Sequence, residues 1–137
     1  MSRYIIENKS QYYELLQSVR DNDEWEDWIV FILHGIQLTS LETITTVHKI
    51  RILMFEYKNQ IKNKYKFYSH ELLNNLFRHI YTKSEFLEKD IGRTRKTASK
   101  YLNKLVEGGF LFSFKIGKEK FYINSKFEFI YNFFHLK

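Results

Sequence analysis

The 137-residue chain can hold one compact domain, or a small domain with an appended helical piece, and 44% apolar with 28% charged residues is a globular composition. It has no cysteine, which excludes a disulfide scaffold and every thiolate metal site and fits a reducing cytoplasm; its longest uninterrupted apolar run, Trp28 to Leu33, is too short for a bilayer, so neither a signal peptide nor a membrane span is expected. The formal charge of +6 is unevenly spread: residues 1–60 carry 6 Lys/Arg against 9 Asp/Glu, net −3, and residues 61–137 carry 16 against 7, net +9. An AT-rich genome would raise Lys, Ile, Asn, Phe and Tyr everywhere and would not produce that split.

The first block, Met1 to about Asn22, reads as helix, with Ser10 as its cap and Tyr13, Leu16 and Val19 at helical spacing. Asp21, Asp23, Glu24, Glu26 and Asp27 then cluster before an apolar stretch. Acidic residues in a first turn suit the helix dipole, so they mark a helix start in preference to a metal or acid-base site. In the helix that follows, Trp25, Trp28, Ile29, Ile32 and Ile36 share a face that Phe31 and Leu33 extend, so it expects neighbours on several sides. Gly35 marks either close packing or a break, and Thr39 with Glu42 forms a capping box for a separate long helix, roughly Ser40 to Lys64. On it Val47, Ile50, Met54, Tyr57 and Ile61 make a seam suited to packing along another helix, either the tryptophan helix or a second chain.

KNKYKFYS is read as a basic hinge into the helix SHELLNNLFRHI, with Ser69 as cap and Leu72, Leu73, Leu76, Phe77 and Ile80 inward. Thr82 and Glu85 form another capping box, for the helix SEFLEKD, whose Phe86 and Leu87, with Ile91, point inward; Gly92 makes the tight turn. Thr94 is a good N-cap and Gly108 a natural C′ residue for the next helix, about Arg95 to Glu107. Ala98, Tyr101, Leu102, Leu105 and Val106 form its buried stripe. Ala98, the only alanine, permits a close crossing with the preceding helix. Facing out are Arg95, Lys96, Ser99, Lys100, Asn103 and Lys104. Cations in a first turn oppose the macrodipole by about 0.3–1 kcal/mol each, a sign that a bound phosphate reverses.

In FLFSFK the residues Phe110, Phe112 and Phe114 alternate with Leu111, Ser113 and Lys115, the period of a half-buried strand; Phe121, Tyr122 and Ile123 make its partner, and Gly117 turns the hairpin with Lys118 and Lys120 at its tip. SKFEFIYNFFHL closes the chain as a helix with Phe127, Ile130 and Phe134 on one side and Phe129, Phe133 and Leu136 on another. The fold class is thus mainly α: an N-terminal helical segment, residues 1–64, then a winged helix-turn-helix, residues 65–137, with a two-stranded wing and a C-terminal helix.

Enzyme chemistry is missing from the pattern. The five histidines are scattered with no i, i+4 pair, and there is no Gly-x-Ser-x-Gly, Walker or dinucleotide motif. No catalytic residue, metal ligand or cofactor is expected.

Residues 2 to 36, with Tyr12, Tyr13, Trp25 and Trp28, resemble the closing helices of Fic-family proteins, and TKSEFLEKDIGRTRKTASKYLNKLVEGGFL with KIGKEKFYIN resembles the winged helix appended after many Fic domains. The resemblance implies a bacterial, cytoplasmic protein with a role in transcription regulation. The family's AMP transfer depends on a His-Pro-Phe-x-x-Gly-Asn-Gly-Arg loop, and this chain has no proline. No catalytic residue carries over: either a longer protein continues upstream of Met1, or a shortened form begins there. Arg93 stands in the turn where the family usually places an apolar residue, and Glu88 where a small one is common, which implies a looser turn and one more phosphate contact.

Double-stranded DNA is the expected partner. Arg95, Lys96, Ser99, Lys100 and Asn103 would enter the major groove, with Ser99 and Asn103 reading bases, while Arg93, Lys104, Lys115, Lys118 and Lys120 hold phosphates. The alternative is a protein-interaction or dimerisation module serving a Fic catalytic domain, through the long helix or the C-terminal aromatic helix.

Overall fold

The computed structural model describes residues 1–135, with side chains through Asn132, so Phe133, Phe134 and Leu136 of the expected terminal faces lie outside what is described. The chain separates into two compact units, Met1–Thr45 and Thr46–Lys137.

In the first unit, α1 (Ser2–Glu7) and α2 (Lys9–Asn22) lead into α3 (Trp25–Lys64), which continues into the second unit. The chain turns at Asn8, whose side chain donates to the Tyr4 carbonyl at 2.9 Å; Ser10, expected as a cap, lies inside α2. Asp23 ends α2 in the left-handed region, φ 56°, and its carboxylate accepts from the Trp25 indole at 2.6 Å. Glu26 and Asp27 occupy the first turn of α3.

Of the two readings of Gly35, close packing or a break, the second fails, because the helix runs on unbroken. The Tyr4 ring fills the space a Cβ would need there, so Gly35 serves close packing. Nor does the Thr39/Glu42 capping box form: Thr43 and Thr45 bond back to the carbonyls of Thr39 and Leu41, and Glu42 pairs with Arg3. Two expected helices are one of 40 residues. By length and composition α3 is apolar enough to cross a bilayer, a test that helices of soluble proteins also pass. Tyr4, Tyr12, Trp28 and Phe31 cluster at ring distances of 5.1 to 6.3 Å, yet Phe31 is the one buried large apolar residue described in this unit.

The second unit contains the rest of α3, α4 (His70–Arg78), β1 (Tyr81–Thr82), α5 (Ser84–Ile91), α6 (Arg95–Glu107), β2 (Phe112–Ile116), β3 (Glu119–Ile123) and α7 (Ser125–His135). The seam residues Tyr57 and Ile61, with Leu53, pack into this unit's core beside Leu72, Leu76, Leu87, Leu102 and Leu105. They do not meet the tryptophans, which sit on the same continuous helix. Val47 stays exposed.

The sheet has three antiparallel strands in the order β1-β3-β2, one more than the expected wing. Thr82 pairs with Tyr122 in β1, and its hydroxyl donates to Asn75 Oδ1 at 2.7 Å. It is therefore unavailable for the expected capping box, and Lys83 takes the N-cap of α5 with no side-chain bond. Phe110 and Leu111 drop into the core before β2 begins, so the strand starts two residues later than its periodicity implies. Its odd positions face the helices. Phe112 and Phe114, which share one face of the alternation, are exposed.

Candidate nucleic-acid interface

Helix α6 is held at both ends by its own sequence. The Thr94 hydroxyl accepts from the Thr97 amide at 3.2 Å, the expected N-cap. At the other end the Phe110 amide donates to the Leu105 carbonyl and the Gly109 amide to the Val106 carbonyl, a Schellman closure. The left-handed residue is Gly109, φ 82°, one position beyond the expected Gly108. Gly108 is needed for a different reason, because the Tyr65 hydroxyl occupies the place of a Cβ.

The back of α6 is rigidly seated. Leu87, Ala98, Leu102 and Leu105 have no exposed surface, so Arg93 and Glu88 do not loosen the turn, which Gly92 closes at φ 63° while Arg93 points to solvent. Nor is the stretch before α4 a hinge. Tyr65 stacks on Phe67 at 4.8 Å and Phe67 on Tyr101 at 4.2 Å, while the Tyr65 hydroxyl donates to the Lys104 carbonyl at 2.8 Å. The linker is clamped to α6.

On the open side, Arg95, Lys96, Lys100 and Lys104 are exposed, as periodicity placed them, whereas Ser99 is half-buried. Arg95, Lys96 and Ser99 line a shallow hollow of about 350 Å³ together with Lys118, Glu119 and Lys120 of the hairpin and Lys83, Ser84 and Glu85 at the start of α5. No acidic residue sits in the first turn of α6. Lys83 was missed by sequence reading, because only the β1 pairing brings it beside the wing; it bonds Glu119 at 2.9 Å.

Two candidates differ from expectation. Lys118 is at the hairpin turn, whereas Lys120 lies within β3 and donates to Asn103 Oδ1 at 2.8 Å. The buried Tyr122 donates to the same oxygen at 2.8 Å. Asn103 thus braces α6 against the wing, with only its amide hydrogens left to offer. Lys115 is exposed opposite Lys120, on the same side of the sheet. The second unit carries 19 Lys/Arg against 8 Asp/Glu, net +11, and the first unit 3 against 8, net −5. The charge boundary follows the structural one.

A family model described as protein adenylyltransferase SoFic-like, C-terminal domain, matches residues 53–127, from the second half of α3 to the first turn of α7.

Proposed function

The chain belongs to the SoFic-like C-terminal domain family of protein adenylyltransferases, and from that premise we propose that it serves as a duplex-DNA-binding, regulatory module of cytoplasmic Fic-type architecture. The observation that carries this reading is the hollow where Arg95 and Lys96 of α6 meet Lys118 and Lys120 of the hairpin. The N-terminus of α6, which has no acidic residue in its first turn, meets five cations there, Lys83 among them, against the two carboxylates Glu85 and Glu119, a net positive charge that a bound anion would offset.

In this reading α6 enters the major groove. Lys96 and Lys100 lead, Arg93, Lys104, Lys115 and Lys118 meet phosphates, and Lys120 contributes charge while holding Asn103. Asn103 with its oxygen occupied cannot form the two-pronged contact to adenine; its amide hydrogens suit the acceptor edge of guanine, and Ser99 is the freer base reader. AMP transfer needs a His-Pro-Phe loop that a chain without proline does not contain. The role is binding.

If about six phosphates are neutralised, the logarithm of the binding constant should fall with the logarithm of salt at a slope of about −5. Anisotropy titrations of the full chain against duplex DNA measure it, and a Lys96→Glu/Lys100→Glu double variant should abolish binding. No binding at low salt, or a flat salt response, sinks the proposal.

A second reading, a protein-interaction or dimerisation module, draws support from an open apolar groove between α3 and α4, lined by Ile52, Met54, Phe55 and Leu73, and from Phe129 at 73% exposure. Under it, Phe55→Ser and Phe129→Ser would change the association state while the Lys96/Lys100 variant would not.

A further inference from the structure

We infer that the outer face of the three-stranded sheet is a stacking platform for the unpaired bases of single-stranded DNA. Directly opposed residues of an antiparallel pair share a face. The register therefore sets Tyr81, Ile123 and Phe112 in one row across all three strands, Phe121 and Phe114 in the next, and Glu119 and Ile116 in the last. The alternate positions face the helices: Tyr122 and Thr82 are buried there, bonded to Asn103 and Asn75. An antiparallel sheet with one solvated face ordinarily makes that face polar. Here four aromatic rings lie on it.

Phe112 is 66% exposed, Tyr81 45% and Phe114 39%. Phe114 and Phe121 lie almost parallel, 14° apart with centroids at 5.3 Å, and Tyr81 meets Phe121 edge-on at 5.6 Å. Lys83, ion-paired with Glu119, places its ammonium 4.6 Å from the Phe121 ring, and Lys118 stands exposed at the hairpin turn. Flat rings beside cations are what a single strand requires: bases stack on the rings whatever their identity, and the phosphates between them meet positive charge.

Charge selects this occupant over a second copy of the chain. Strand β2 is an open edge, where a second copy could pair, and a second sheet laid face to face would bury Phe112, Phe114 and Ile116. Either arrangement would bring together two units of net +11, and Lys115 within the edge strand opposes edge pairing. A polyanion gains from the same charge by releasing its counterions. The platform rests on the sheet alone. The choice of DNA over RNA rests on the duplex reading above: the same hairpin carries Lys115 and Lys120 on one side and Phe114 and Phe121 on the other, so a duplex held by α6 could lay an unpaired continuation across the rings.

The test titrates the full chain against a labelled oligothymidylate of about ten nucleotides and, separately, against duplex DNA, following anisotropy. A Phe112→Ser/Phe114→Ser variant, whose fold is checked by its melting curve, is expected to lose at least about fivefold in oligothymidylate affinity per ring and to keep its duplex affinity. Phe112→Tyr/Phe114→Tyr, which retains the rings, should bind like the parent. The Lys96→Glu/Lys100→Glu variant should lose duplex binding yet keep the dependence of oligothymidylate binding on Phe112 and Phe114, so failure of the duplex reading is seen separately. Oligothymidylate affinity indifferent to the serine variant overturns the platform. So does binding to oligouridylate alone, or a wild-type dimer that the serine variant dissolves.

Discussion

Tyr57 shows how one side chain ties the second unit together. It is 2% exposed, and its hydroxyl donates to the Phe110 carbonyl at 2.9 Å and reaches Asn124 Oδ1 at 3.1 Å. Asn124 in turn caps α7 by accepting from the Phe127 amide at 3.2 Å, and its amide donates to the Leu76 carbonyl at 3.4 Å. Helix α3 is thereby fastened to the end of α6 and the start of α7. Burial, with the Glu56 carboxylate adding to it, pushes the Tyr57 phenol from 10.0 up to about 12. The folded state holds that proton more tightly than the unfolded chain does. The contribution of Tyr57 is therefore complete below about pH 10 and drains away as pH rises toward 12. Tyr57→Phe should cost about 1–3 kcal/mol at neutral pH, because it orphans a buried carbonyl, and should flatten the alkaline loss of stability. Urea unfolding at neutral pH and near pH 11 measures both. A variant as stable as its parent, or one with an unaltered alkaline limb, contradicts this account.

At the scale of elements, the stack Tyr65, Phe67, Tyr101 determines whether α6 can move against the helix that precedes α4. Rings 4.2 Å apart and 8° from parallel make the Phe67–Tyr101 contact close. A double-mutant cycle of Phe67→Leu and Tyr101→Leu should give a coupling of about 0.5–1.5 kcal/mol, read from unfolding free energies. Coupling near zero would return this segment to the role of a hinge. The segment reads as a hinge in the sequence because its basic charge is local, while the ring partner of Phe67 lies 34 positions away. Local signals elsewhere were read correctly: Ser69 and Thr94 cap their helices because the bond each makes is three residues long. Thr82 carried the same signal and was taken by a strand pairing that no local pattern contains. Periodicity placed Asn103 on the outside of α6, and it could not show that Lys120 and Tyr122 would claim its oxygen. The winged fold and the basic side of α6 were legible in the sequence; the aromatic outer face of the sheet was not, because the alternation of β2 fixes two faces without saying which one meets the helices.

For the whole molecule, the unequal burial of the two units has a thermodynamic consequence. Thr46–Lys137 encloses Tyr57, Ile61, Leu72, Leu87, Leu102 and Tyr122, each at most 2% exposed. Met1–Thr45 buries Phe31 and leaves Ile29, Val30, Leu33, Ile36, Leu41 and Ile44 open to solvent. A stretch of 45 residues, close to the roughly 40 below which a core alone seldom suffices, has little to set against its chain entropy. Its helices should therefore melt without a sharp transition and ahead of the second unit. A fragment of residues 46–137 should keep a cooperative transition within a few degrees of the full chain's main one, since the removed part contributes none of that core. A peptide of residues 1–45 should show little helicity in dilute buffer, because isolated helices of this length are marginal without a packed face. Circular dichroism melts of the three species test this directly. A helical, cooperatively melting peptide, or a 46–137 fragment that fails to fold, would show that the first unit supplies stability its burial does not account for. If the peptide behaves as expected, the apolar face of α3 is a surface whose order depends on whatever packs against it, and the basic winged unit is the autonomous part of the chain.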